Sequence, residues 1–145
     1  MSGASTLNVQ YAALPWRRKN GELEFLLITT RTTKRWIVPK GWPELGQSPS
    51  ASAAREALEE AGVIGEIAAK PLGTFQYTKR RKTGETLPVQ VTLFALEVAQ
   101  QRRSYPEKHM RQTRWCSPKE ALAHISEPGL KRLCVKFAKS AALAA

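Results

Sequence analysis

Apolar runs broken by turn chemistry alternate along this chain, and they predict strands on either side of one central helix. Leu7 to Trp16 alternates loosely and predicts a first strand, stopped by Pro15. The basic run Trp16 to Gly21 follows, and its Asn20-Gly21 dipeptide is a strong hairpin turn. Leu23 to Thr30 (LEFLLITT) predicts a buried strand from its continuous apolar and β-favouring residues. Arg31 to Arg35 makes a polar, basic connection. Trp36-Ile37-Val38 is a short strand ended by Pro39, which delivers Lys40 and the loop after it.

The stretch Gly41 to Val63 (GWPELGQSPSASAAREALEEAGV) predicts a Pro/Gly-rich loop and then a helix. Ser48 can cap that helix, Pro49 suits its first position, and Gly62 supplies a left-handed end. Beyond it, Ile64 to Ala69, Leu72 to Thr78 and Leu87 to Val98 predict strands, the last with Val89, Val91, Leu93 and Ala95 on one face. Lys79 to Lys82 is a basic run, Thr83 to Glu85 a turn, and Gln100 to Tyr105 a polar connection. Arg111 to Cys116 predicts a strand with Trp115 inward. Ser117 and Glu120 form a capping-box start for a helix containing Ala121, Leu122 and Ile125. Gly129 precedes a last helix, where Leu130, Leu133, Cys134 and Phe137 keep helical spacing. Residues 1–5 and the Ala-rich tail from Ala141 are expected to be loose ends of a single domain spanning 1–145. This order of elements suits a mixed β-sheet sandwiched between α-helices, an α/β/α arrangement.

Charge is sorted within the central helix. At about 100° per residue, Ala53, Ala54, Ala57, Leu58 and Ala61 fall on one side and Glu56, Glu59 and Glu60 on the other. Three carboxylates so close repel one another and raise each other's pKa. A divalent cation relieves that repulsion, and hard oxygen ligands at this density suit Mg2+ or Mn2+.

Length and composition set the bounds. The chain has 145 residues, 42% hydrophobic and 24% charged, which is ordinary for a globular domain. Its net charge of +11 is not ordinary, and it argues for a polyanionic partner. A phosphate-rich small molecule is the expected one, with nucleic acid ranked behind it. Cys116 and Cys134 fall in apolar segments and read as buried thiols. No stretch approaches the length of a transmembrane helix and the N-terminus lacks an apolar signal region, so no membrane partner and a cytoplasmic location are expected.

The spacing G-x5-Q-x7-R-E-A-L-E-E-A-G-V resembles the Nudix signature G-x5-E-x7-R-E-U-x-E-E-x-G-U, where U is aliphatic. Gly41, Arg55, Glu56, Glu59, Glu60, Gly62 and Val63 match it, Ala57 is a small version of the aliphatic position, and Gln47 replaces the first glutamate. The resemblance implies the Nudix fold and a metal-dependent pyrophosphohydrolase, with Glu56, Glu59 and Glu60 as metal ligands. Gln47 can still hydrogen-bond Arg55 but brings no charge, and Glu44 nearby is a partial substitute. Arg55 lies off the carboxylate arc and is expected to orient a glutamate. Glu56 is the first candidate general base, and Glu107 the second.

On the substrate side, Lys40 abuts Gly41 and the signature loop and can reach a phosphate. Arg35 and Arg80 are expected on neighbouring strand ends close to it. Trp42 and Tyr77 either stack on a base or pack. The runs RWIVPKGWPELGQS, FQY and RWCSPKEA are similar to those of diphosphoinositol polyphosphate and diadenosine polyphosphate hydrolases within the Nudix family. That similarity implies phosphoanhydride cleavage in a highly charged nucleoside or inositol polyphosphate. Two alternatives stand beside it: hydrolysis of nucleoside triphosphates or capped RNA, and a catalytically weak Nudix domain that binds RNA or polyphosphate.

Overall fold

Consecutive buried residues in the central strands show that both faces of the sheet are covered. The computed structural model describes residues 8–144, so the expected loose start, and Leu7, lie outside the described residues. Strand β1 (Val9–Lys19) buries Ala12, Ala13 and Leu14 in succession, and β2 (Glu22–Thr29) buries Phe25, Leu26, Leu27 and Ile28. In a strand, successive side chains point to opposite faces, so such runs require packing on both sides.

The other elements are β3 (Trp36–Ile37), β4 (Lys40–Gly41), α1 (Pro49–Ala61), β5 (Val63–Ile67), β6 (Gly73–Arg80), β7 (Thr86–Gln101), β8 (Thr113–Cys116), α2 (Pro118–His124) and α3 (Pro128–Ala144). The strands make one mixed sheet. Its main path runs β3-β2-β1-β7-β5, with β4 beside β1, β6 beside β7 and β8 beside β2. At its centre β1 and β7 run parallel, Ala12 opposite Leu93. Helix α1 packs against β1, β4 and β5, while α3 packs against β6 and α2. The fold is a mixed sheet between helices, as expected.

Several boundaries moved for identifiable reasons. Pro15 does not stop β1. It falls between the stretch paired with β4 (Tyr11, Ala12) and the stretch paired with β2 (Trp16 to Lys19). The Asn20-Gly21 turn is as expected, with positive φ at both residues (54° and 80°). The polar residues Gln100 and Gln101 continue β7 because β5 pairs with them. Lys40 and Gly41, expected in the loop, are a short strand on β1.

Trp115 is half-buried rather than inward. It lies under the Arg17 guanidinium, 3.9 Å from its ring centroid, and Cys116 is the fully buried residue of β8. Gly129 sits inside the first turn of α3. The tail is helical to Ala144, since Ala141 is buried and its carbonyl accepts a bond from Arg18. Both cysteines are buried free thiols.

Candidate active site

The site begins with the ends of α1. Ser48 Oγ accepts the Ala51 amide, Pro49 opens the helix, and Gly62 ends it at φ 72°. Residues preceding the helix fold back so that β4 lies along it. Glu56 and Glu60, one turn apart, therefore face inward with Ala53, Ala57 and Ala61, at 9% and 6% exposure. This corrects the simple division of the helix into an alanine side and a carboxylate side. A two-residue strand against the helix covers part of the acidic arc, which helical spacing could not reveal. Gly41 leaves room for Glu56, and the Lys40 amide donates to Glu60 Oε1 at 3.2 Å.

Glu59 takes a different direction. Its Oε2 accepts from Arg55 Nε at 2.8 Å, and Arg55 Nη1 reaches Glu44 Oε2 at 3.0 Å. Arg55 thus bridges Glu44 and Glu59 on the flank of α1. Gln47 is exposed, and Glu44 is the loop residue that pairs with Arg55.

Arg111 is the residue that sequence reasoning missed. It donates from Nε to Glu107 Oε1 at 2.9 Å, from Nη1 to the Thr29 carbonyl at 3.0 Å, and lies 3.5 Å from Glu60 Oε2. Its side chain is only 13% exposed. The i, i+4 spacing from Glu107 was the one signal available in the sequence. Glu107 is itself held in place by its amide, which donates to the Glu59 carbonyl at 2.9 Å.

These residues line a two-part cleft. The acidic half, about 430 Å³, brings Glu44, Glu56, Glu60 and Glu107 together beside Gly41 and Trp42. The basic half, about 490 Å³, is walled by Arg35, Tyr77, Arg80 and a row of threonines. Arg31, Lys40, Lys79 and Arg111 line both halves. Arg35, Lys40 and Arg80 therefore do meet, and Gly41, Glu56, Glu60 and Glu107 meet next to them. Arg55 and Glu59 line neither half.

Electrostatics follow from burial. Desolvation pushes the Glu60 carboxyl up to about 8, with Glu56 adding to the rise and Arg111 opposing it. Glu56 is also raised, first by burial, with hydrogen bonding from Glu60 offsetting part. Lys40 moves the other way, lowered to about 8 chiefly by burial and partly by Lys79 and Arg111. Its Nζ sits 4.5 Å above the Tyr77 ring, and Tyr77 packs inward and donates its hydroxyl to Gln10 Oε1 at 2.7 Å.

Among the described residues the carboxylates are not drawn into a ready cluster of three ligands. Arg55 holds Glu59 aside, Arg111 pairs with Glu107 at the edge of the acidic half, and Glu56 and Glu60 are the inward pair. Two buried, repelling carboxylates beside a polar cleft fit a hard divalent cation, whose other positions water and phosphate oxygens would fill. No helix of the described residues is long and apolar enough to cross a membrane.

The chain resembles known proteins in sequence and in fold. The chain is 38% identical over 113 residues to the chloroplastic Nudix hydrolase 21 of Arabidopsis thaliana, covering 75% of this chain and 55% of that protein. It is 38% identical over 71 residues to diphosphoinositol polyphosphate phosphohydrolase 3-beta of Bos taurus, covering 49% and 43%. The chain thus spans about half the length of these curated relatives. A crystal structure of a C. elegans Ap4A hydrolase binary complex superposes with a TM-score of 0.70 at 22% identity, covering 94% of this chain and 98% of that one. The family model described as the NUDIX domain matches residues 8–135, and the chain belongs to the Nudix family.

Proposed function

We propose that this chain is a divalent-metal-dependent hydrolase of phosphoanhydride bonds in a highly charged nucleoside or inositol polyphosphate. One observation carries this reading: the buried Glu56–Glu60 pair and a wall of cations line two adjoining cavities that share Arg31, Lys40, Lys79 and Arg111. Acid alone would suit a metal store, and base alone an anion sink. Together they suit a phosphate chain whose reactive bond lies over the acids while its remaining charge rests on the cations.

Glu56 and Glu60 are the residues to hold the ion, and Mg2+ is the first choice for a site of hard oxygen donors. When bound, such an ion neutralises phosphate charge and lowers the pKa of its water. Lys40, Lys79, Arg35 and Arg80 grip the non-reacting phosphates. With Glu56, the first candidate general base, assigned to the ion, the second candidate Glu107 takes that role: it borders the acidic half and Arg111 orients it through a single oxygen. Arg55 is a positioning residue that keeps the Glu44 loop against α1. Glu44 supplies the charge that Gln47 lacks, which supports an active enzyme over a catalytically weak binding domain.

The names of two relatives suggest the substrates to try first: a diadenosine polyphosphate (Ap4A) and a diphosphoinositol polyphosphate. A location in the cytoplasm rests on the sequence alone, and the Arabidopsis relative carries a chloroplastic name. The test is phosphate release from these two classes, nucleoside triphosphates and capped RNA, with and without Mg2+. Metal-dependent turnover that Glu56→Gln and Glu60→Gln abolish is expected. Turnover in chelator, or at the parent rate in both variants, would overturn the reading.

A further inference from the structure

Four tryptophans are present, and three have partners for their rings. Trp16 lies 5.3 Å from Phe137, Trp36 lies 5.9 Å from His124, and Trp115 is covered by Arg17 and donates to Gln101. Trp42 is the exception. Among the described residues it has no aromatic, cationic or hydrogen-bonding partner, and it is 43% exposed. It is also the tryptophan that lines the acidic half of the cleft.

A bare indole on a floppy loop would mean little, but this one stands on fixed backbone. Gly41 before it is paired with Tyr11 in the sheet and packed on Glu56. Pro43 after it restricts the Trp42 backbone to extended conformations. A rigid aromatic face loses little freedom when it receives a ligand.

We propose that Trp42 is the stacking platform for the base of the substrate, which makes that substrate a nucleoside polyphosphate rather than an inositol polyphosphate. This rests on the phosphoanhydride reading above and narrows it. The phosphate chain runs from Trp42 across Glu56 and Glu60 toward Lys40, Lys79 and Arg80. A nucleobase presents a flat π-face that stacks on indole, whereas an inositol ring offers only hydroxyls and phosphates. Tyr77, the other aromatic of the cleft, is unsuited because Lys40 already covers its ring.

The test measures binding in chelator, so that no turnover is needed. ATP and inorganic tripolyphosphate carry the same number of phosphates and differ by the nucleoside. The full chain should bind ATP more tightly than tripolyphosphate, and ATP alone should quench tryptophan fluorescence. Trp42→Ala should weaken ATP binding about 10-fold, the usual scale for one base stacked on one aromatic. It should leave tripolyphosphate binding unchanged and abolish the quench, while Trp42→Phe should keep most of the ATP preference. Equal affinity of the parent for the two ligands, or equal effects of Trp42→Ala on both, would overturn the proposal. Hydrolysis is scored separately in Mg2+. An enzyme that turns over inositol substrates with no Trp42 effect on ATP refutes the stacking site alone, and absence of metal-dependent turnover refutes the hydrolase reading.

Discussion

A Cβ built on Gly41 would lie 2.3 Å from the carboxyl carbon of Glu56 and 2.4 and 2.6 Å from its two oxygens. The strand carrying Lys40 therefore approaches α1 this closely only because position 41 has no side chain. Gly41→Ala is expected to push Glu56 out of the cleft and to cost about 100-fold in kcat, the scale of a 1 Å misplacement. Steady-state kinetics beside a thermal melt would check it. Parent-level activity would show that the Glu56 carboxylate can relocate at no cost.

The inward and outward glutamates should separate on mutation. Glu56→Gln and Glu60→Gln are expected to lose both metal-stimulated turnover and the rise in Tm on adding Mg2+. Glu59→Gln removes an exposed pair with Arg55, which is worth under about 1 kcal/mol, and should keep the metal-induced rise. Melting curves of the three variants with and without Mg2+ decide the matter.

Arg111 neutralises two carboxylates at a buried place. Arg111→Ala removes the bond to Glu107, the charge beside Glu60 and the donor to the Thr29 carbonyl, and is expected to destabilise the fold by about 2 kcal/mol. Arg111→Lys should rescue little, because one ammonium cannot reproduce the guanidinium's bonds to Glu107 and the Thr29 carbonyl together. Urea denaturation provides the measurement.

Glu60 makes stability depend on pH in a direction opposite to the usual carboxylate. Its folded pKa, about 8, lies above the ordinary 4.5, so the folded metal-free chain keeps a proton that the unfolded chain releases. That contribution is complete below the ordinary value and is lost as pH rises toward 8. Lys40, lowered from 10.5 to about 8, has the reverse sign and acts only above that window. In chelator, Tm should fall from mildly acidic pH toward pH 8. Mg2+ should raise Tm more at the upper end, and Glu60→Gln should flatten the slope. A slope identical in parent and Glu60→Gln would assign the effect to another group.

Glu127 ties the cationic wall to the body of the protein. Its Oε2 lies 3.3 Å from Arg35 Nη1, and its buried Oε1 has no hydrogen-bond partner among the described residues. Glu127→Ala is expected to free Arg35 and raise KM with kcat nearly unchanged. A loss confined to kcat would place Glu127 at the chemistry instead.

Local signals were readable because they act within a few residues. Ser48, Pro49 and Gly62 bracket α1 as their chemistry demands, and the capping box of Ser117 and Glu120 makes both of its bonds. Asn20-Gly21 closes the first hairpin. Misreadings arose where a distant partner overrode the local pattern. Pro15 stays in a strand because β1 changes neighbours beside it, and the alanine tail stays helical because Arg18 reaches across to Ala141.

By itself the sequence determined the family, the helix that carries the glutamates and the excess of positive charge, since each depends on residue type and short spacing. Tertiary structure decided which glutamates face one another, that Glu44 rather than Gln47 meets Arg55, and that Arg111 closes the acidic half. The physical reason is reach. Helical periodicity orders side chains around one axis, but which side is covered depends on what packs there, and β4 comes to α1 only through its pairing with β1.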